Sequence, residues 1–170
     1  MPNRTPNPYP CFKEDEPGRI AYEFVTDQQI HYRAYFSDYS YMFGSHTFFC
    51  QFYSFDLVMI GGLRPPKFTQ VDRRIADTVI NCFIEIFQTI DNVVITVYDS
   101  SDHAELARKR KFNQWFNEAE ILDIEKVDFE AADETYTLLS SVFLHTSLPD
   151  KAAILDRYQL ILEGGNIPLD

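Results

Sequence analysis

"DRRIADTVINCFIEIFQTIDNVVITVYD", residues 72 to 99, decides the fold. In its first part Ile75, Val79, Cys82, Phe83, Ile86, Phe87 and Ile90 recur at steps of three and four, which draws one apolar stripe along a helix. The period then disappears. From Asn92 the chain is a short β-branched run with apolar residues at odd and even positions alike, so Val93 to Tyr98 is expected to be a strand covered on both faces, central in its sheet. A helix leading into an interior strand calls for a layered domain with helices packed on a sheet.

Working back from this stretch, "RIAYEFVTDQQIHYRAYFSDY" alternates as two strands joined near Thr26 to Gln29. Ile20, Tyr22 and Phe24 share one face; Ile30, Tyr32, Ala34 and Phe36 share another. Ser37 to His46 reads as a loop, and Phe49 to Met59 is aromatic and β-branched enough for a third strand, ended by Gly61 and Gly62. The first eighteen residues hold five prolines and an acidic cluster, and read as a flexible leader to a single domain over 19–170.

Working forward, a second helix is expected from about His103 to Glu118. "IEKVDFEAADETYTLLSSVFLHT" follows as a hairpin turning near Ala131 to Glu134, and a last helix runs from Ser147 and Pro149 to the glycines at 164 and 165. The fold class is therefore α+β: a mixed, mainly antiparallel sheet with about three helices packed on it. The order strand-helix-strand-helix-strand-strand resembles the back half of the acyl-CoA N-acyltransferase fold.

That family holds pyrophosphate on a Q/R-x-x-G-x-G/A loop that opens the helix after its central strand. The corresponding "IGGLRPPKFTQVDRRIADT" sets Gly61 and Gly62 about ten residues before the helix and puts Pro65 and Pro66 where amide donors are needed. No cofactor is expected on this reading. Nor is a serine nucleophile, since "YDSSDHA" has no glycine for the sharp elbow of G-x-S-x-G.

Composition limits the partners. The formal net charge of -11 repels nucleic acid and anionic membranes, so no nucleic acid partner is expected and a basic protein is the easier fit. No run of about 18 apolar residues offers a membrane span, and no signal-peptide core opens the chain. Cys11, Cys50 and Cys82 are odd in number and far apart, which argues against a disulfide framework or a zinc site and for a reducing cytoplasm.

The candidate ligand or partner site lies in "VYDSSDHAELARKRKFNQWF", residues 97 to 116. Asp99, Ser100, Ser101 and Asp102 fall where a strand's carboxyl end meets a helix start, the crevice in which α/β proteins hold ligands. Asp102 and Glu105 have capping-box spacing, which explains both without catalysis. Phe112, Trp115, Phe116 and Ala119 form the helix's apolar stripe, with Arg108 inside it by angle. A carboxylate, Asp99 for preference, is expected to answer Arg108, because an unpaired buried charge costs several kcal/mol. Arg73 and Arg74 at the other helix start, with Arg64, Lys67 and the "RKRK" run, would add a basic patch if the two starts adjoin. Opposite in sign, Glu118 to Glu134 holds eight acids against Lys126 alone.

"VDRRIADTVI", the 97 to 116 string and the Pro149 helix resemble an uncharacterised family of small bacterial proteins carrying a domain of unknown function, over about residues 20 to 162. The resemblance implies a stand-alone cytoplasmic protein and brings no activity with it. Two functions follow as expectations: a non-enzymatic interaction or regulatory protein, such as an accessory or neutralising partner in a bacterial operon, and a divergent acyl-CoA N-acyltransferase-like enzyme.

Overall fold

The computed structural model describes residues 5–44, 48–63, 72–100, 103–132 and 137–164. Among them, seven strands form one sheet in the order β1-β2-β3-β4-β5-β7-β6. The strands are β1 Phe12–Glu16, β2 Arg19–Val25, β3 His31–Asp38, β4 Gln51–Gly61, β5 Asn92–Tyr98, β6 Ile124–Ala132 and β7 Thr137–His145. Helices α1 Arg73–Ile86, α2 Glu105–Ala119 and α3 Lys151–Leu162 pack on them. Only β4 and β5 are parallel, because α1 returns the chain between them; every other pair is antiparallel. The α+β class with a mixed, mainly antiparallel sheet is as the sequence predicts. None of the described helices is long and apolar enough to cross a membrane.

The register explains the core. Tyr22 lies opposite Ala34 and Ile20 opposite Phe36, so the apolar faces of the first predicted hairpin coincide. On that side of the sheet Phe83 of α1 is fully buried, with its ring 5.3 Å from Phe36, 4.8 Å from Phe55, 5.1 Å from Phe116 and 5.0 Å from Phe143. One aromatic thus joins α1 to four neighbours, and α2 adds Phe112 and Trp115 to the same cluster. On the other side Val93, Ile95, Val142 and Leu144 meet Ile154 and Tyr158 of α3, and Phe43 stacks on Phe52 at 3.8 Å. Strand β5 is buried from both sides except at Val97, as its largely apolar run requires.

Three boundaries differ from the sequence reading. The expected leader contains strand β1, paired with β2 from Phe12 opposite Glu23 to Glu16 opposite Arg19, and Tyr9 before it is buried against Phe24. "FKEDE" looks like a tail because an edge strand keeps charge on both faces, which discourages pairing with other chains. Helix α1 stops at Ile86, leaving Ile90 exposed beyond the stripe, and Ala119 at the end of α2 is also exposed. Strand β6 runs through Ala131 and Ala132, the first half of the turn expected near Ala131 to Glu134, and the other half of that expected turn lies outside the described residues.

Candidate functional site

Strand β5 delivers Asp99 and Ser100 to the carboxyl end of the sheet, while Ser101 and Asp102 lie outside the described residues. His103 has a left-handed backbone, φ 58°, and its amide bonds the Ser100 carbonyl at 3.1 Å. A non-glycine residue there is sterically disfavoured, so helix α2 cannot include it. The helix therefore opens at Glu105, with Ala104 in the cap position and no side-chain cap bond. This corrects two expectations: His103 is not the first helical residue, and Glu105 stands at the first helical position rather than the third, where a capping-box glutamate would be.

Arg108 does reach back to the strand end. Its guanidinium donates to the Asp99 main-chain carbonyl at 2.6 Å, and the side chain is half-buried rather than enclosed in the stripe. A carbonyl at the end of a strand accepts the charged donor without bringing a second charge out of water. Phe112, Trp115 and Phe116 are buried as the stripe requires.

Arg74 is drawn elsewhere. It grips the Asp27 carboxylate with contacts of 2.9 and 3.2 Å, donates to the Asn7 carbonyl at 3.1 Å and lies 3.8 Å above the Tyr9 ring. Asp72 caps α1 through the Arg74 amide at 3.0 Å and accepts the Tyr9 hydroxyl at 2.6 Å. Arg74 thus ties the amino-terminal segment and the β2–β3 turn to the start of α1, while Arg73 beside it is exposed. The "RKRK" residues diverge: Lys109 stands 3.6 Å from Asp128, Arg110 bonds its own helix at Leu106, and Lys111 lies 5.0 Å over Trp115. Arg108 reaches the Asp99 residue expected from the sequence, but the bond shown goes to its main-chain carbonyl and the side chain is not enclosed; Arg74 belongs to a separate network.

Two features have no counterpart in the motif reading. The first is an opening in the sheet. Strands β4 and β5 pair only from Gln51 opposite Asn92 to Ser54 opposite Ile95, although β4 continues to Gly61 and β5 to Tyr98. Among the described residues no strand pairs with the β5-facing edge of Phe55 to Gly61. Val58, Met59, Ile60 and Val97 are partly exposed here, Leu63 is nearly fully so, and the buried Thr96 hydroxyl has no hydrogen-bond partner.

The second is a polar line beneath α2. The Tyr98 hydroxyl is 2.9 Å from Ser141 Oγ, Ser141 donates to Asp128 at 2.7 Å, and Lys126 bonds the same carboxylate. Burial alone would raise the Asp128 pKa, yet the bonds from Lys126 and Ser141 hold it below the usual value. Burial lowers that of Lys126. An open groove of about 570 Å³ beside them is lined by Asn113, Phe116, Ile121, Ile124, Lys126 and Asp128. The sequence signal was the two-residue step from Lys126 to Asp128, which puts both on one face of β6.

A family model described as a family of unknown function, DUF6169, matches residues 71–159. That span contains "VDRRIADTVI", the 97 to 116 string and most of the Pro149 helix, and is shorter than the 20 to 162 over which the resemblance was drawn. No curated protein matches the chain.

Proposed function

The chain belongs to DUF6169, a family of unknown function, and from that premise we propose that it is a non-enzymatic interaction protein that seats an extended segment of a basic protein partner between β4 and β5. The observation that carries this reading is the parting of the two parallel strands after Ser54 and Ile95. Unpaired strand edges recruit an added strand through main-chain hydrogen bonds, and alternate side chains of that strand then find pockets. Val58, Met59, Ile60 and Val97 supply apolar contact, the Thr96 hydroxyl supplies an unused polar group, and the charge of -11 favours a cationic segment. We place this activity in the cytoplasm of a bacterium, in keeping with three unbridged cysteines.

The rival occupant of the opening is the pantetheine arm of an acyl-CoA. Against it stands the start of α1, where Asp72 already places a carboxylate on the first-turn amide, so a pyrophosphate would meet like charge at the site where a helix normally welcomes it.

Selection of displayed peptides followed by hydrogen exchange tests the reading. Alternating apolar and basic peptides should be enriched and should slow exchange at Phe55 to Gly61 and Thr96 to Tyr98. Selected peptides that leave those amides unprotected, or a micromolar single-site titration with acetyl-CoA, would overturn it.

A further inference from the structure

The amino-terminal segment lies along α1 like a strap. Near its start the Asn7 amide donates to Asp77 at 2.8 Å; next the Tyr9 amide donates to Thr78 Oγ1 at 2.8 Å; further on, Lys13 pairs with Glu85 at 3.0 Å. Contacts of 9 with 78 and 13 with 85 bracket position 11 on the strap and position 82 on the helix, and both are cysteine. Cys11 is exposed and Cys82 is buried. From this arrangement we propose that Cys11 and Cys82 form a redox site that closes to an intramolecular disulfide on reaction with a low-molecular-weight disulfide such as glutathione disulfide, fastening the strap to α1.

The chemistry divides between the two sulfurs. The Cys11 thiol donates to the Tyr9 carbonyl at 3.6 Å, and the neighbouring Cys82 thiol lowers the Cys11 pKa, which raises the fraction of attacking thiolate at the exposed position. Cys11 thiolate attacks glutathione disulfide, one sulfur–sulfur bond breaks, a glutathione thiolate leaves, and Cys11 carries the mixed disulfide. The neighbouring Cys11 first and burial second push the Cys82 pKa up; once Cys11 is neutral in the mixed disulfide, the first of these causes is gone. Cys82 then loses its proton to solvent and attacks the Cys11 sulfur, and the second glutathione leaves as thiolate. Two protein thiols are oxidised by two electrons and one glutathione disulfide is reduced to two thiols. Cys50 is a poor competitor, since burial pushes its thiol up to about 11. In a reducing compartment such a bridge is transient, as redox-sensing disulfides are.

Intact-mass and peptide mass spectrometry after incubation with glutathione disulfide decides the matter. The parent protein should lose two hydrogens and yield a peptide linking Cys11 to Cys82, and its thermal midpoint should rise by about 10 °C, reversibly with dithiothreitol, because the bridge closes a long loop. Cys11→Ser, at an exposed position, should leave Cys82 unmodified. Cys82→Ala should accumulate the glutathione adduct on Cys11. A persistent adduct on Cys11 of the parent with Cys82 still free overturns the proposal, and so does oxidation at Cys50 while Cys11 stays reduced.

Discussion

Helices α1 and α2 both begin beyond the carboxyl end of one of the two parallel strands, but among the described residues a side chain caps the first turn at α1 and none does at α2. At α1, Asp72 caps the first turn, Tyr9 bonds the cap, and Arg74 holds both the Asp27 turn and the Asn7 carbonyl. At α2 the cap position is Ala104, the preceding His103 has a left-handed backbone, and Arg108 reaches back to the Asp99 carbonyl. Burial follows the same division: α1 sinks Val79, Cys82, Phe83 and Ile86 into the core, while α2 buries Phe112, Trp115 and Phe116 and exposes most of its remaining surface. In this sheet the fastened helix organises the core, and the looser one borders the opening and the groove beside Lys126.

The largest expected effect tests that division in the core. Phe83→Ala should cost about 4–5 kcal/mol, since four other aromatic rings lose their common neighbour, and Trp115→Ala should cost about 3 kcal/mol at the outer side of the α2 stripe. Urea unfolding of both variants measures the difference. Equal losses would mean that α2 is as central as α1.

A smaller effect probes the fastening. Asp72→Ala removes the α1 cap and the acceptor of the Tyr9 hydroxyl together, for about 2 kcal/mol. Tyr9→Phe should recover part of that loss in the double variant, because the two side chains share one bond. Strict additivity in the denaturation midpoints would show that the Tyr9–Asp72 contact contributes nothing.

Arg108→Ala is expected to cost about 1 kcal/mol, the net worth of a charge-assisted bond at a half-exposed position. A fully buried ion pair would instead lose about 3–5 kcal/mol on breaking. A loss in that higher range, read from the same urea curves, would put α2 on a par with α1 and restore the enclosed pair that its helical angle suggests.

How far these contrasts can be read from sequence depends on the interaction. The α1 stripe and the double-sided apolar run of β5 are local to the chain, so both were legible, and alternation marked the apolar face of each strand in the first hairpin but not the register that sets Tyr22 opposite Ala34. Strand β1 was not legible, because "FKEDE" has the composition of a solvated tail until β2 lies beside it. The line from Tyr98 through Ser141 to Asp128 draws on three strands and exists only because Asp128 sits opposite Ser141 in the β6–β7 register. Glu105 was misplaced in the helix for a local reason: spacing locates a cap only if the helix begins at once, and the left-handed turn at His103 delays the start of α2, while Asp102 lies outside the described residues.

That delay permits the smallest and most selective test, the repair of the loose start. Ala104 has no side-chain acceptor for the first-turn amides, whereas Asp72 at the other helix accepts from Arg74. Serine at a cap position is preferred to alanine by about 0.5–2 kcal/mol, and it adds no charge beside Glu105. The gain here should lie at the lower end, because Ala104 has φ -110° and ψ 11° while the Asp72 cap has φ -76° and ψ 100°, so the backbone must turn before the hydroxyl can reach an amide. Ala104→Ser is therefore expected to stabilise the protein by about 0.5 kcal/mol, seen as a small rise in the urea midpoint with an unchanged slope. The same substitution with no rise would mean that the α2 amides are already satisfied from the segment before Ala104, and the contrast between the two helix starts would then lie in Arg108 and Arg74 rather than in their caps.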